Sequence, residues 1–189
     1  MASNPIPRKW TVEEYFALEA ESDIRHEFVD GDIFAMAGGT ENHSLITGNT
    51  FLAIGQRVRG SHFRMHTSDM RVKISETKYL FPDFSVICGK AEFTDDKRTT
   101  LTNPTLCVEV TSPSSMGYDK NLKGDFYRSI DALQHYLVLD QGQIYARLYT
   151  RLEKGWLLQE FTNISDTLPL PALSLNVPLS EIYSDITFE

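Results

Sequence analysis

Cysteine is scarce in this chain: Cys88 and Cys107 are the only two among 189 residues. Two thiols cannot build a disulfide framework or a four-ligand zinc site. Both sit in apolar, strand-like segments, where free cysteine behaves as a small hydrophobe, so two buried thiols are expected. Long apolar runs are missing as well. None approaches the roughly 18 residues needed to span a bilayer, and the opening MASNPIPRKW has no apolar signal-peptide core. A cytoplasmic protein with no membrane partner is expected. Internal repeats, low-complexity tracts and linkers are absent, so residues 1–189 read as one domain. Positive charge is short too. A net charge of −8 argues against non-specific coating of nucleic acid, although local charge matters more than the total.

What is present is an ordinary globular composition, 41% hydrophobic and 23% charged, on a chain long enough to bury a core. One stretch runs against the overall charge. Between Arg57 and Lys78, six cations (Arg57, Arg59, Arg64, Arg71, Lys73, Lys78) meet two anions, Asp69 and Glu76. It reads either as a phosphate-facing edge or as a solvated face.

Thr11 to Glu14 (T-V-E-E) is a capping box that opens a short helix to about Ala20. IRHEFVDGDIFAMAGG gives two strands around the hairpin dipeptide Asp30-Gly31. Leu45, Ile46, Leu52 and Ile54 predict a helix from His43 to about Val58, weakened by Gly48 and Gly55. Extended segments follow at about 63–74 and 79–88, with ISETKY as the turn between them. A polar loop leads to the strand TLCVEVTS, ended by Pro113. A helix is predicted from about Tyr118 to Ile130, then the buried strand HYLVLD. IYARLYT and GWLLQEF pair as a hairpin. The proline-bearing tail LPLPALSLNVPLSEIY is expected to cross the surface in extended form. The order predicts an α/β or α+β fold, a mixed sheet flanked by helices with an extra C-terminal β-hairpin.

Asp83 lies within FPDFSVIC and Glu109 within LCVEVTS, both apolar and strand-like. Buried carboxylates are costly unless paired with a cation or a metal, and two close together repel. If the strands run antiparallel with Asp83 and Glu109 as neighbours, one divalent metal resolves both costs. Mg²⁺ suits one or two carboxylates plus waters and phosphate oxygens. The alternative is a wet strand edge or an arginine partner. Asp119, Lys123 and Tyr127 recur at i, i+4, i+8 on one face of the following helix. Lys123 could there hold a phosphate oxygen or polarise a water, or form a surface ion pair with Asp119. Glu27, on the first strand, could reach the same metal or pair with Arg25 or His26. His43 could approach the site, but capping the helix or facing solvent is the first reading.

Taken in succession, RHEFVDGDIFAMAGGT, NHSLITGN, FPDFSVIC, PTLCVEVTSPSS, YDKNLKGDFYRS and HYLVLD resemble the Uma-two family. That group is especially abundant in cyanobacteria and placed in the PD-(D/E)XK, restriction-endonuclease-like superfamily. The resemblance runs from Trp10 to about Tyr183. Its most specific piece is E-V-x-S-P-S-S followed by D-x-x-x-K-x-x-x-Y. It implies a mixed sheet flanked by helices and a Mg²⁺- or Mn²⁺-dependent phosphodiesterase site. Asp83 matches the first acidic residue, Glu109 the second, and Glu27 a glutamate on the first strand. The superfamily lysine two residues after the glutamate is replaced by Thr111, and Lys123 matches a lysine moved onto the next helix. Asp83, Glu109 and Lys123 are thus the expected catalytic set and Asp83, Glu109 and Glu27 the metal set, with His43, Thr111 and Tyr127 in support.

Two classes of function compete. One is a Mg²⁺-dependent endonuclease on DNA, with a homodimer expected because enzymes that cut both strands often pair. The other is a catalytically inactive nucleic-acid-binding or regulatory module on the same fold, or beyond that a partner-binding protein with a vestigial site.

Overall fold

The computed structural model describes residues 8–36, 38–111 and 118–188, with side chains 118–122 left out. Helix α1 (Val12–Glu21) starts at the expected capping box, with Thr11 and Glu14 bonded reciprocally. Strands β1 (His26–Val29) and β2 (Asp32–Ala35) form the expected hairpin. Its turn residues Asp30 and Gly31 both have positive φ, 49° and 88°, as a two-residue type I′ turn requires. Helix α2 (Glu41–Val58) is capped by Thr40, whose Oγ1 accepts the His43 N–H.

The two expected extended segments each divide between two sheets. Residues 63–74 give β3 (Phe63–Thr67) and the start of β4 (Arg71–Ser75). Residues 79–88 give most of β5 (Lys78–Leu80) and all of β6 (Phe84–Cys88). Pro82 explains the second division, because it has no N–H for a ladder. β4 and β5 join β1, β2 and a short β7 (Thr100–Leu101) in a five-stranded sheet.

The main sheet has six strands in the order β11-β10-β9-β8-β6-β3, with β8 (Leu106–Thr111), β9 (His135–Asp140), β10 (Ala146–Arg151) and β11 (Trp156–Phe161). Within this sheet, among the described residues, only the β8–β9 pair is parallel, and helix α3 (Tyr118–Arg128) supplies the crossover such a pair needs. Pro113, the expected end of β8, lies outside the described residues.

Helices cover both faces, which is why LCVEV reads as a nearly continuous apolar run. Leu106, Val108 and Val110 pack with Ile46, Ala53 and Ile54 of α2. Cys107 faces the other way, toward Tyr127 of α3 and toward Val72 and Leu80 of the smaller sheet. The alternation along β8 therefore commits Glu109 to the α3 side.

Two expectations fail. The tail does not cross the surface: β12 (Thr167–Leu170), a 3₁₀ turn (Pro171–Leu173), β13 (Leu175–Pro178) and α4 (Leu179–Ile182) bury Leu168, Leu170, Val177 and Ile182 in the main core. Its prolines sit where a missing N–H is harmless: Pro169 in a two-stranded hairpin, Pro171 at the start of the turn, and Pro178 before α4. Cys88 is exposed, because it ends β6 just before Gly89, whose φ of +73° turns the chain off the sheet. Cys107 is buried and both thiols are free.

Candidate active site

Strands β6 and β8 run antiparallel with Phe84 opposite Val108. Asp83, one residue before β6 rather than within it, thereby stands across from Glu109. Asp83 Oδ2 accepts the Val110 N–H at 2.6 Å. Its Oδ1 lies 3.2 Å from His43 Nε2. Asp83 is thus anchored by a backbone donor and a histidine, not by an arginine. His43 neither caps α2 nor faces away, because Thr40 has taken the cap. The bond to Asp83 raises the His43 pKa against the opposing effect of burial.

Glu109 receives its partners from α3. Tyr127, fully buried, donates its hydroxyl to Glu109 Oε1 at 2.9 Å. Lys123 Nζ lies 3.7 Å from the same oxygen and 2.8 Å from Glu27 Oε1. One turn of helix separates the two donors, as their i, i+4 spacing requires. Glu27, buried on β1, also accepts the Phe81 N–H at 3.3 Å. It pairs with neither predicted neighbour, since His26 is held by Glu19 and Arg25 lies near Asp69. Thr111 lines the same cavity as Glu109 and Lys123, but its hydroxyl donates to the Leu139 carbonyl. The Asp119 side chain lies outside the described residues.

Three carboxylates thus converge on one lysine and one histidine. Burial raises the Glu109 pKa to about 7; Lys123 and Tyr127 oppose the rise, while the charges of Asp83 and Glu27 add to it. Burial pulls on Lys123 in the opposite sense, yet Glu109 and Glu27 outweigh it and leave the ammonium's pKa raised. Negative charge is in excess, and hard oxygen donors are what Mg²⁺ or Mn²⁺ takes. Among the described residues, no group of three or more His, Cys, Asp or Glu side chains is arranged around a metal position. Asp83 and Glu109 face each other across β6 and β8, while Glu27 is turned to Lys123.

The basic stretch does not form a continuous cationic edge. Arg57 binds Glu181, Lys73 binds Glu76 and Lys78 binds Asp30. Arg71 is buried against Glu19 and three aromatic rings. Sequence reasoning missed a second cationic group beside Glu109 and Lys123, Arg128 and Arg147 with Tyr145 and Tyr149. Its one signal was Arg147 and Tyr149 alternating on the strand IYARLYT.

The chain matches the model of the Uma2 family, described as "Putative restriction endonuclease", over residues 12–180. It is 37% identical to the uncharacterized protein sll1609 of Synechocystis sp. over 152 residues, covering 79% of this chain and 86% of the relative. It is 34% identical to the uncharacterized protein slr1290 of the same organism, over 98% of this chain and 97% of the relative. The fold resembles the crystal structure of a protein from Anabaena variabilis described as "a putative nuclease belonging to DUF820". That similarity has a TM-score of 0.75 at 17% identity, covering 94% of this chain and 99% of the other. Among the described residues, no helix is long and apolar enough to cross a membrane.

Proposed function

Because the chain belongs to the Uma2 family, we propose that it is a metal-dependent endonuclease that hydrolyses phosphodiester bonds in DNA, acting at Asp83, Glu109 and Lys123. The observation that carries this reading is the placement of Lys123. Its ammonium arrives from α3 beside a carboxylate pair set by the β6–β8 register. That supplies from a helix the cation which the superfamily pattern places two residues after the glutamate.

Asp83 and Glu109 are the residues that would hold Mg²⁺ or Mn²⁺. Such an ion, when bound, lowers the pKa of a water and offsets charge on the phosphate. The chain's own groups have separable tasks. The Val110 N–H and His43 fix the Asp83 carboxylate. Tyr127 fixes Glu109. Lys123, with its pKa raised, stays protonated and can bind a non-bridging phosphate oxygen as charge builds there. Glu27 holds the ammonium in place and is the third carboxylate that could turn to the ion once Lys123 engages substrate.

Incubation of the purified protein with supercoiled plasmid tests the proposal. Nicking or linearisation in Mg²⁺ or Mn²⁺, abolished by EDTA and by Asp83→Asn, is expected. One observation favours a second reading, an inactive nucleic-acid-binding module: Lys123 already satisfies both Glu27 and Glu109. Salt-dependent DNA binding with no cleavage in either metal would select it.

A further inference from the structure

A cavity of about 300 Å³ opens beside Glu109 and Lys123, between α3 and strands β9 and β10. Sheet register lays out its floor. Glu109 pairs through Val138 with Arg147, and Cys107 pairs through Tyr136 with Tyr149. At about 4.8 Å per strand, Arg147 starts about 10 Å from Glu109, and Tyr149 two residues along the same face.

The lining combines aromatic faces with guanidinium groups. The Arg128 guanidinium lies 4.2 Å from the centre of the Tyr149 ring. Arg147 lies 5.4 Å from the Tyr145 ring, and its Nε donates to the Tyr145 hydroxyl at 2.6 Å. Gly124 makes room for this arrangement: a Cβ there would stand 2.9 Å from Arg128 Nη1 and 3.4 Å from Tyr136. Tyr136 is buried, whereas Tyr145, Tyr149, Arg128 and Arg147 are only partly so. The carboxylate partners of the two arginines, Asp125 and Glu160, are 65% and 48% exposed. They can give way to a phosphate without leaving a buried charge unpaired.

Intact duplex cannot use such a recess, because its bases are stacked inside and it presents chiefly backbone and groove edges. An unpaired nucleotide offers a ring face and a phosphate together, matching tyrosine rings with arginine guanidinium groups stacked over them. We propose that this cavity is a subsite for one unpaired nucleotide of a DNA strand, next to the bond cut at Asp83 and Glu109. The base lies against Tyr149 and Tyr145, and the phosphate binds Arg128 and Arg147. The inference rests on the nuclease reading above and narrows its substrate to single-stranded or locally unpaired DNA.

Fluorescence anisotropy tests it, with a labelled oligothymidylate and the same strand annealed to oligoadenylate, both in Ca²⁺. The strand should bind about tenfold more tightly than the duplex. Tyr149→Leu and Tyr145→Leu should each weaken strand binding roughly 5- to 100-fold and leave duplex binding unchanged. Tyr149→Phe, which keeps the ring, should retain strand affinity. Melting curves confirm that the variants are folded, and Tyr145, also in the cavity lining, gives a second readout should the Tyr149 variant fail to fold. Equal binding of strand and duplex, or full strand affinity in folded leucine variants, would overturn the proposal. The two readings separate cleanly. Strand binding with these losses but no cleavage in Mg²⁺ rejects the nuclease and keeps the subsite. Duplex cleavage untouched by the leucine variants does the reverse.

Discussion

The Tyr127 hydroxyl donates to Glu109 Oε1 at 2.9 Å from within a fully buried position. Burial drives the tyrosine's own pKa far upward, so it remains a donor throughout the working range. Tyr127→Phe removes a bond that favours the Glu109 carboxylate, and the Glu109 pKa should rise further. The acid limb of the cleavage pH profile should move up by about one pH unit, the equivalent of a bond worth about 1.4 kcal/mol. An unmoved limb would mean that Glu109 ionisation does not govern the rate.

Lys123→Ala should cut cleavage by about 10²–10³, the usual cost of a lost charge-stabilising donor. Metal binding should survive, since the lysine is not a ligand. Thr111 lines the same cavity, so adding Thr111→Lys should recover part of the rate. Recovery should be incomplete, because such sites tolerate only about 0.5 Å of misplacement. Full activity in Lys123→Ala alone would return the lysine to a purely structural role.

Glu109 also sets a pH dependence of stability. Its folded pKa of about 7 stands above an unfolded value of about 4.3. The folded state therefore holds the extra proton, and stability falls as pH rises from about 4.3 to about 7. His43, also raised, adds stability below about 6.5 that is lost as pH rises through its folded value. Metal-free Glu109→Gln should match wild type at the acid end and gain about 1–3 kcal/mol on it by neutral pH. A constant gap across that range, read by urea melts, would contradict the buried-carboxylate account.

The two thiols should react very differently. Cys88 is exposed and Cys107 fully buried. A thiol reagent should label Cys88 promptly in the native protein and Cys107 only after denaturant is added. Prompt labelling of both would place Cys107 outside the core.

Local signals were legible wherever one side chain decides a backbone bond. The Thr11–Glu14 box and the Asp30-Gly31 turn both sit as the sequence implies. Strand alternation along LCVEV turns Glu109 away from Val108 and Val110 and toward α3. The division into two sheets was not legible, because pairing partners are chosen by tertiary packing and only Pro82 hinted at a break. The tail's burial was not legible, because its prolines signal missing ladder donors rather than exposure. Leu168, Leu170 and Val177 instead follow strand alternation into the core. The Lys123–Glu27 contact was hidden too, since it joins residues far apart in sequence on α3 and β1.

The central claim is that Asp83 and Glu109 form a two-carboxylate site for a divalent cation. Titration calorimetry with Mn²⁺ tests it most directly, on wild type, Asp83→Asn and Glu109→Gln, each shown to be folded by its melting curve. One Mn²⁺ site in wild type and none in either variant is expected. Unchanged Mn²⁺ affinity in either variant would contradict it.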